Sequence, residues 1–269
     1  MSRTMFKKVL MLIFAFMLLV TCVWAAEWVD FEGKTPQGKT LQLRGILNKP
    51  KGRGHFPAVV MLCGCGGLKN KDDADQQNAW SERLMSWGYI TLSVDSYGPR
   101  NYARCDDGLG VNFSMISYDA YSAKSYLSKL KFVDSKNIAV IGWSHGAGAV
   151  LRLVDGMLRD KESIPFKAAV AFYPWCEYIN KFDTPLLILI GEKDDYCPVN
   201  KCETLQKAHS IKESQYEFTL KIYSNATHAF DFEGLNINEN GHHVEYNPEA
   251  TADAVIQTKE FLAKYLKAK

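Results

Sequence analysis

A serine between two glycines lies near the middle of the chain, where a short strand is followed by a helix. The segment Gly142-Trp-Ser-His-Gly146 follows the apolar run 138–141 and precedes the helical stretch 147–158. A sharp strand-to-helix turn exposes one hydroxyl, and the glycines avoid a clash with the strained serine backbone. N–H groups at the start of the helix can then face a developing oxyanion. The pattern predicts that Ser144 is a nucleophile; the alternative is a glycine-rich turn with a capping serine.

A serine nucleophile needs a general base, and the base needs a carboxylate that orients it. In parallel sheets such groups collect in the loops at the C-terminal ends of strands. Two predicted strands downstream of Ser144 end in suitable residues: Asp194 and Asp195 follow the first, and His228 follows the second. We predict that His228 is the base and that Asp194, in a G-x-x-D-x-x-x-P pattern, orients it. Asp195 is the alternative carboxylate.

The order Ser, Asp, His along the chain is the order expected of an α/β-hydrolase. Such a site also needs two N–H donors for the oxyanion. One is predicted to be the backbone N–H of His145, which follows the nucleophile. The other is predicted at Cys65 in Gly64-Cys-Gly-Gly67, because glycines let the backbone approach a substrate closely. A tight turn after a strand would use the same glycines.

Strands and helices alternate through the rest of the chain. Strands are predicted at 41–47, 57–63, 89–94, 138–141, 167–173, 185–190 and 217–223. Helices are predicted at 75–87, 117–130, 147–158, 199–209 and 248–266. Most of these strands are apolar along their whole length, which indicates a mostly parallel sheet with helices on both faces. The predicted fold is α/β, in a single domain that spans residues 26–269.

The first 25 residues have the pattern of a secretory signal peptide. Lys7 and Lys8 precede an apolar run, and small residues end at Ala25. Cleavage there would leave a periplasmic or secreted protein without a membrane segment. A retained anchor is the alternative, since the run 9–26 falls only slightly short of the about 20 residues that span a bilayer. Lipid attachment at Cys22 is a further alternative, although the preceding residues match a lipobox poorly.

Beyond this segment the charges are nearly balanced in a chain of 269 residues with a net charge of +2. No basic patch predicts a nucleic-acid partner. Six cysteines remain after residue 25, an even number that is compatible with disulfides in an exported protein but allows 15 pairings. A metal site is not predicted, because the spacing of Cys63 and Cys65 does not match a zinc motif.

The chain resembles the dienelactone hydrolase family of α/β-hydrolases, in particular an exported branch with serine as nucleophile. The resemblance covers the chain from about residue 41 to the last helix. The founding member uses cysteine where this chain has Ser144. The resemblance rests on Gly64-Cys-Gly-Gly67, Asp95-Ser-Tyr-Gly-Pro-Arg100, Gly142-Trp-Ser-His-Gly146, Tyr173-Pro174, Gly191-Glu-Lys-Asp-Asp195 with Pro198, and His228-Ala-Phe230.

The resemblance also suggests how substrate is held. Arg100 could bind a substrate carboxylate in a bidentate manner, as the family places an arginine near this loop. Trp143 and Tyr97 are candidates for lining the pocket, with packing as the alternative.

The positions of the cysteines suggest two disulfides. Cys176 follows the strand before the Asp194 loop and Cys202 lies in the helix after it, so a bridge between them would brace that loop. Cys65 with Cys105 is the second predicted pair.

The sequence therefore predicts an exported hydrolase that cleaves a small carboxylic ester or lactone through an acyl-enzyme, without a cofactor. A thioesterase or a peptidase could use the same catalytic groups, because the fold does not fix the acyl group. A non-catalytic binding protein that keeps the fold is the alternative from another class.

Overall fold

The computed structural model describes residues 26–106, 110–157, 164–211, 214–239 and 241–266. Ten strands are assigned in this part of the chain: β1 Glu27–Lys34, β2 Thr40–Asn48, β3 Phe56–Leu62, β4 Ile90–Asp95, β5 Val133–Trp143, β6 Ala169–Phe172, β7 Leu186–Gly191, β8 Phe218–Tyr223, β9 Asn236–Glu239 and β10 His242–Glu245. Five α-helices accompany them: α1 Lys71–Ser86, α2 Phe113–Ser128, α3 His145–Leu153, α4 Val199–Ile211 and α5 Pro248–Tyr265.

Eight of the strands form one sheet in the order β1-β2-β4-β3-β5-β6-β7-β8. From β4 onwards in this order, each strand is parallel to its neighbours within that part of the sheet. At the other edge, β2 pairs antiparallel with both β1 and β4. Helices cover the sheet, as the alternation of strands and helices predicted. The central strands β3, β4, β6 and β7 are almost completely buried, and β3, β6 and β7 are apolar, which is the pattern of a sheet covered on both faces.

Each predicted strand and helix overlaps an observed one, although the first and last residues differ in most of them. The helix predicted at 75–87 begins at Lys71, because the Asn70 side chain accepts hydrogen bonds from the N–H groups of Asp72 and Asp73. The helix predicted at 147–158 begins at His145, directly after the candidate nucleophile, and ends at Leu153.

Three strands were not predicted. Strand β1 is mostly exposed and pairs only with β2 at the edge of the sheet. Strands β9 and β10 form a separate hairpin in a polar stretch that the sequence analysis did not assign.

Two disulfides join Cys65 to Cys105 and Cys176 to Cys202. Both are the pairs predicted from the sequence, and disulfides are typical of proteins that fold in an oxidising compartment. Cys63 and Cys197 are free and buried. Among the described residues no helix is long and apolar enough to cross a membrane. The predicted signal peptide, residues 1–25, lies outside the described residues.

Candidate active site

Ser144 occupies a strained turn between β5 and α3. Its backbone has φ 49° and ψ −112°, a conformation that residues with a side chain rarely adopt. A Cβ atom at Gly146 would overlap the carbonyl oxygen of Leu62 at the end of the neighbouring strand, and one at Gly142 would lie 2.5 Å from the Gly146 oxygen. Both glycines are therefore needed for the chain to turn here, and the turn presents the Ser144 hydroxyl above the sheet.

Three side chains from separate strand ends form one hydrogen-bonded line. The His228 Nε2 atom lies 2.9 Å from Ser144 Oγ, and His228 Nδ1 lies 2.8 Å from Asp194 Oδ2. The other carboxylate oxygen of Asp194 accepts a hydrogen bond of 2.7 Å from the Cys197 N–H. Asp194 and His228 are both buried, so their hydrogen bonds are largely shielded from water.

The loops that carry Asp194 and His228 are held together through their backbones. The N–H of Lys193 donates to the Ala226 carbonyl at 2.9 Å, and the N–H of Glu192 donates to the Tyr223 carbonyl at 2.9 Å. A Cβ atom at Gly191 would overlap the Ala226 carbonyl, so this close approach requires glycine. The carboxylate and the imidazole are thus positioned relative to each other by main-chain contacts at the ends of β7 and β8.

Asp195, the alternative carboxylate, is turned away from this line. Its Oδ1 atom lies 3.0 Å from His242 Nδ1, and its side chain is 59% exposed. The structure therefore places Asp194, and not Asp195, against His228.

The loop after β3 lies beside Ser144 and is tied to neighbouring segments. The carbonyl of Cys65 accepts a hydrogen bond of 2.9 Å from the Cys105 N–H, next to the disulfide that joins the same two residues. The Tyr97 hydroxyl donates to the Gly64 carbonyl at 3.0 Å. Cys65 and His145, the two predicted oxyanion donors, both line the cavity that contains Ser144.

His145 is held by the segment that follows this disulfide. Its Nε2 atom lies 2.6 Å from the carbonyl oxygen of Val111, and its ring packs against Phe113 with 4.7 Å between ring centres. The N–H of Val111 in turn donates to the Cys105 carbonyl at 2.8 Å. Burial lowers the pKa of the His145 imidazole, so the ring is neutral near pH 7 and donates through Nε2.

A further buried carboxylate, that of Asp231, lies near the line of Ser144, His228 and Asp194. It accepts hydrogen bonds from Tyr173 Oη at 2.7 Å, Trp80 Nε1 at 2.7 Å, Trp143 Nε1 at 3.1 Å and Gln76 Nε2 at 3.1 Å. Burial raises the pKa of Asp231, and these four donors oppose that rise. No motif in the sequence marks this residue, although it follows the candidate base by only three positions.

The cavity above Ser144 has a volume of about 490 Å³, within the range of small-molecule sites. Its polar lining includes His228 and the acidic residues Asp72, Asp73, Asp106 and Glu239, with Arg104 as the one lysine or arginine among the described lining residues. Its apolar lining comprises Phe113, Trp143, Tyr173, Trp175, Tyr196, Ala229, Phe232, Leu235, Ile237 and Val244. The hairpin of β9 and β10 supplies three of these residues, Ile237, Glu239 and Val244, and so forms part of the wall.

The three predicted substrate-binding residues have different surroundings. Trp143 lines the cavity, but its indole nitrogen is bound to Asp231. Tyr97 is buried beneath the loop after β3 and is not among the described lining residues. Arg100 makes two hydrogen bonds of 2.8 Å to the buried carboxylate of Asp119 and is likewise absent from that lining. The positions of Tyr97 and Arg100 therefore do not support the predicted contacts with substrate.

Two groups of possible metal ligands occur among the described residues. In the first, Cys65 and Cys105 are joined in a disulfide, so they offer no thiolate. The second comprises Asp194, Cys197 and His228. Burial raises the pKa of the Cys197 thiol, which keeps it protonated, and both ring nitrogens of His228 are within hydrogen-bond distance of Asp194 and Ser144. The hydrogen bonds of Asp194 to His228 and to the Cys197 N–H explain why these three residues lie close together.

The sheet order and the turn at Ser144 are those of the α/β-hydrolase class. Solved structures agree: the propionate-bound esterase Est2 of the planctomycete Thermogutta terrifontis is 19% identical, with a TM-score of 0.65 over 91% of this chain and 96% of that chain. Protein usf of Aquifex pyrophilus is 26% identical over 239 residues, which cover 84% of this chain and 95% of that protein. Cutinase est1 of Thermobifida alba is 26% identical over 193 residues, 68% of this chain and 57% of the cutinase.

Within that class the sequence matches the dienelactone hydrolase family over residues 43–266. The chain therefore belongs to the dienelactone hydrolase family. It is a hydrolase that acts on ester bonds.

Proposed function

We propose that this protein is a serine hydrolase that cleaves small, soluble carboxylic esters or lactones through an acyl-enzyme. The observation that carries the proposal is the line of hydrogen bonds from Ser144 through His228 to Asp194. Ser144 Oγ attacks the ester carbonyl, and its proton passes to His228 Nε2. The buried Asp194 carboxylate holds the imidazole in the required orientation and stabilises the imidazolium that forms.

The tetrahedral intermediate needs donors that are already in place when the oxyanion develops. The N–H of His145 and the N–H of Cys65 are our candidates, since both residues line the cavity beside Ser144. When the intermediate collapses, the alcohol takes the proton from His228 Nε2 and leaves. Water then attacks the acyl-enzyme and gives a proton to His228 Nε2. As this second intermediate collapses, the bond between the acyl carbon and Ser144 Oγ breaks, His228 returns the proton to Ser144 Oγ, and the carboxylic acid is released.

The cavity supports a small substrate. A volume of about 490 Å³ holds a compact acyl group together with a compact alcohol. The short-chain acid propionate occurs in the related Est2 esterase, which is consistent with this size.

The first test is covalent labelling of the purified protein by a fluorophosphonate probe. We expect the wild type to be labelled and to hydrolyse p-nitrophenyl acetate, and the Ser144→Ala variant to lose both properties. Labelling that persists in a folded Ser144→Ala variant would show that another residue is the nucleophile. A folded wild type with neither labelling nor hydrolysis would instead support a non-catalytic binding protein.

The second test distinguishes the class of acyl substrate. We expect p-nitrophenyl esters to be hydrolysed with a higher kcat/KM than acyl thioesters of the same chain length or short peptides. A preference for thioesters or peptides would keep Ser144 as nucleophile but replace the ester proposal.

A further inference from the structure

The described lining of the cavity contains more acidic than basic side chains. Four carboxylates, those of Asp72, Asp73, Asp106 and Glu239, accompany a single arginine in the described lining. That arginine, Arg104, is already paired, with Nε 3.2 Å from Asp106 Oδ1 and an Nη atom 3.8 Å from Glu239 Oε1. The cation is therefore engaged by protein carboxylates.

Asp73 is the member of this group that lies against the reacting centre. Its carboxylate lies next to the backbone of Gly64, in the loop that is expected to hold the oxyanion, and this backbone lowers the pKa of Asp73. A Cβ atom at Gly64 would lie 2.8 Å from Asp73 Oδ1 and 3.8 Å from Ser144 Cβ. The Asp73 carboxylate and Ser144 Cβ therefore both lie within 4 Å of this one position beside Gly64, and both residues line the same cavity.

We propose that Asp73 is a specificity-determining residue that makes the enzyme discriminate against esters whose acyl chain carries a negative charge. This inference rests on the proposed esterase function and names the substrate class of the same site: uncharged esters and lactones. A carboxylate on the substrate would enter a cavity that already contains Asp73, Asp72 and Glu239, and like charges in a partly buried site repel each other strongly.

Because Asp73 titrates near neutral pH, its effect on substrate preference should depend on pH, and this dependence can be measured. Burial raises the pKa of Asp73 to about 7, and the carboxylates of Asp72 and Glu239 act in the same direction. Arg104 and the Gly64 N–H oppose the rise. The Asp73 carboxyl is therefore partly protonated at neutral pH and becomes fully negative at higher pH.

The test compares two substrates that differ only in charge. We choose p-nitrophenyl valerate and the mono-p-nitrophenyl ester of glutaric acid, whose five-carbon acyl chains end in a methyl group and a carboxylate. The measured quantity is the ratio of kcat/KM for valerate to kcat/KM for glutarate between pH 5.5 and 8.5. Effects of pH on the common catalytic steps cancel in this ratio.

In the wild type we expect the ratio to favour valerate and to rise with pH through about 7. In Asp73→Asn, which keeps the size and shape of the side chain, we expect the ratio at pH 8.5 to fall about 10-fold because one nearby negative charge is removed. The increase of this ratio with pH should be smaller in Asp73→Asn than in the wild type. His145 and His228 also line the cavity and remain in both proteins, so the difference between the two profiles reports Asp73.

Asp75→Asn is the matched control. Asp75 lies in the same helix, is exposed, and pairs with Lys71 outside the described cavity lining. We expect this variant to keep the wild-type ratio. Equal rates for the two esters in the wild type, or an unchanged ratio in a folded Asp73→Asn variant, would overturn the inference while valerate hydrolysis still supports the esterase. If valerate itself is not hydrolysed, the proposed function fails, and this inference fails with it.

Discussion

The backbone of Ser144 combines a strained conformation with the one side chain that the chemistry requires. A positive φ with a side chain costs about 1–3 kcal/mol when the surroundings enforce it. Glycine tolerates this conformation at little steric cost, whereas alanine does not. Ser144 therefore lowers the stability of the folded protein relative to glycine at the same position.

Two inactive variants can measure this strain. We expect Ser144→Gly to have a free energy of unfolding about 1 kcal/mol higher than Ser144→Ala, because glycine relieves the positive φ. Denaturant unfolding of both variants under identical conditions provides the measurement. A more stable alanine variant would indicate that the turn is not strained in solution.

The two adjacent carboxylates after β7 permit a matched comparison. Asp194→Asn removes the charge that orients His228 and should lower kcat by about 10³ to 10⁴-fold, as expected when the base is held in the wrong tautomer. Asp195→Asn changes an exposed residue and should alter kcat less than about 3-fold. Steady-state hydrolysis of p-nitrophenyl acetate measures both variants. A large loss in Asp195→Asn with little loss in Asp194→Asn would reverse the assignment.

The sequence was sufficient to bring together Ser144, Asp194 and His228, because each follows a predicted strand of a parallel sheet. It was not sufficient for Asp73 or Arg100. In the sequence Asp73 lies in the polar stretch before the helix predicted at 75–87, and only the tertiary structure shows that the loop after β3 lies against it. Arg100 reads as a possible ligand for a carboxylate, but its partner Asp119 is 19 positions away in a helix.

At the level of elements, Asp231 connects four parts of the site. Its donors are Trp80 and Gln76 in α1, Trp143 at the end of β5, and Tyr173 after β6, while Asp231 itself follows the His228 loop. The ring of Tyr173 also packs against His228 with 4.6 Å between ring centres. One buried carboxylate thus links the turn at Ser144, the loop that carries His228 and the helix that follows the loop after β3.

We expect Asp231→Asn to lower the free energy of unfolding by about 2–3 kcal/mol and kcat by at least about 10-fold. The amide presents an NH₂ group to donors that need acceptors, which displaces the elements around Ser144 and His228. Thermal or denaturant unfolding and the separate determination of kcat and KM measure the two effects.

Asp155→Asn is the control for a purely structural effect. Asp155 is also buried and accepts hydrogen bonds from the backbone N–H groups of Met157, Asn180 and Lys181. It is outside the described lining of the catalytic cavity. We expect Asp155→Asn to lose stability with kcat preserved; equal loss of kcat in the two variants would argue against a positioning role for Asp231.

The apolar strands could be predicted from sequence because their whole length is buried. The hairpin could not be found in this way, because β9 and β10 are mostly exposed and polar. A usable signal was present: Asn240-Gly241 separates two short segments that each contain one apolar residue, Ile237 and Val244. Asn-Gly is a strong indicator of a tight hairpin turn.

For the whole molecule, the two disulfides make stability depend on redox conditions. They close loops with sequence separations of 40 and 26 residues. In the chain-entropy account each contributes about 3–4 kcal/mol by restricting the unfolded chain. The positions of Cys176 and Cys202 around the Asp194 loop suggested one pair, and Cys65 with Cys105 was the second prediction, although six cysteines allow 15 pairings.

We expect reduction to lower the melting temperature by about 10 °C or more, since about 1 kcal/mol corresponds to a few degrees in a domain of this size. Differential scanning calorimetry with and without a thiol reductant measures the shift. The Cys176→Ser/Cys202→Ser variant should show part of the shift and respond further to reductant through Cys65 and Cys105. An unchanged melting temperature after verified reduction would contradict the expectation.

The hairpin of β9 and β10 has a consequence for how this enzyme could diversify. It is a two-stranded unit outside the main sheet, and none of the three proposed catalytic side chains belongs to it. Yet Ile237, Glu239 and Val244 give it a share of the cavity wall. Changes in the length or the residues of the hairpin can therefore reshape the space available to an acyl chain without replacing any of the three proposed catalytic side chains. The hairpin is therefore a suitable element in which to engineer a new substrate preference.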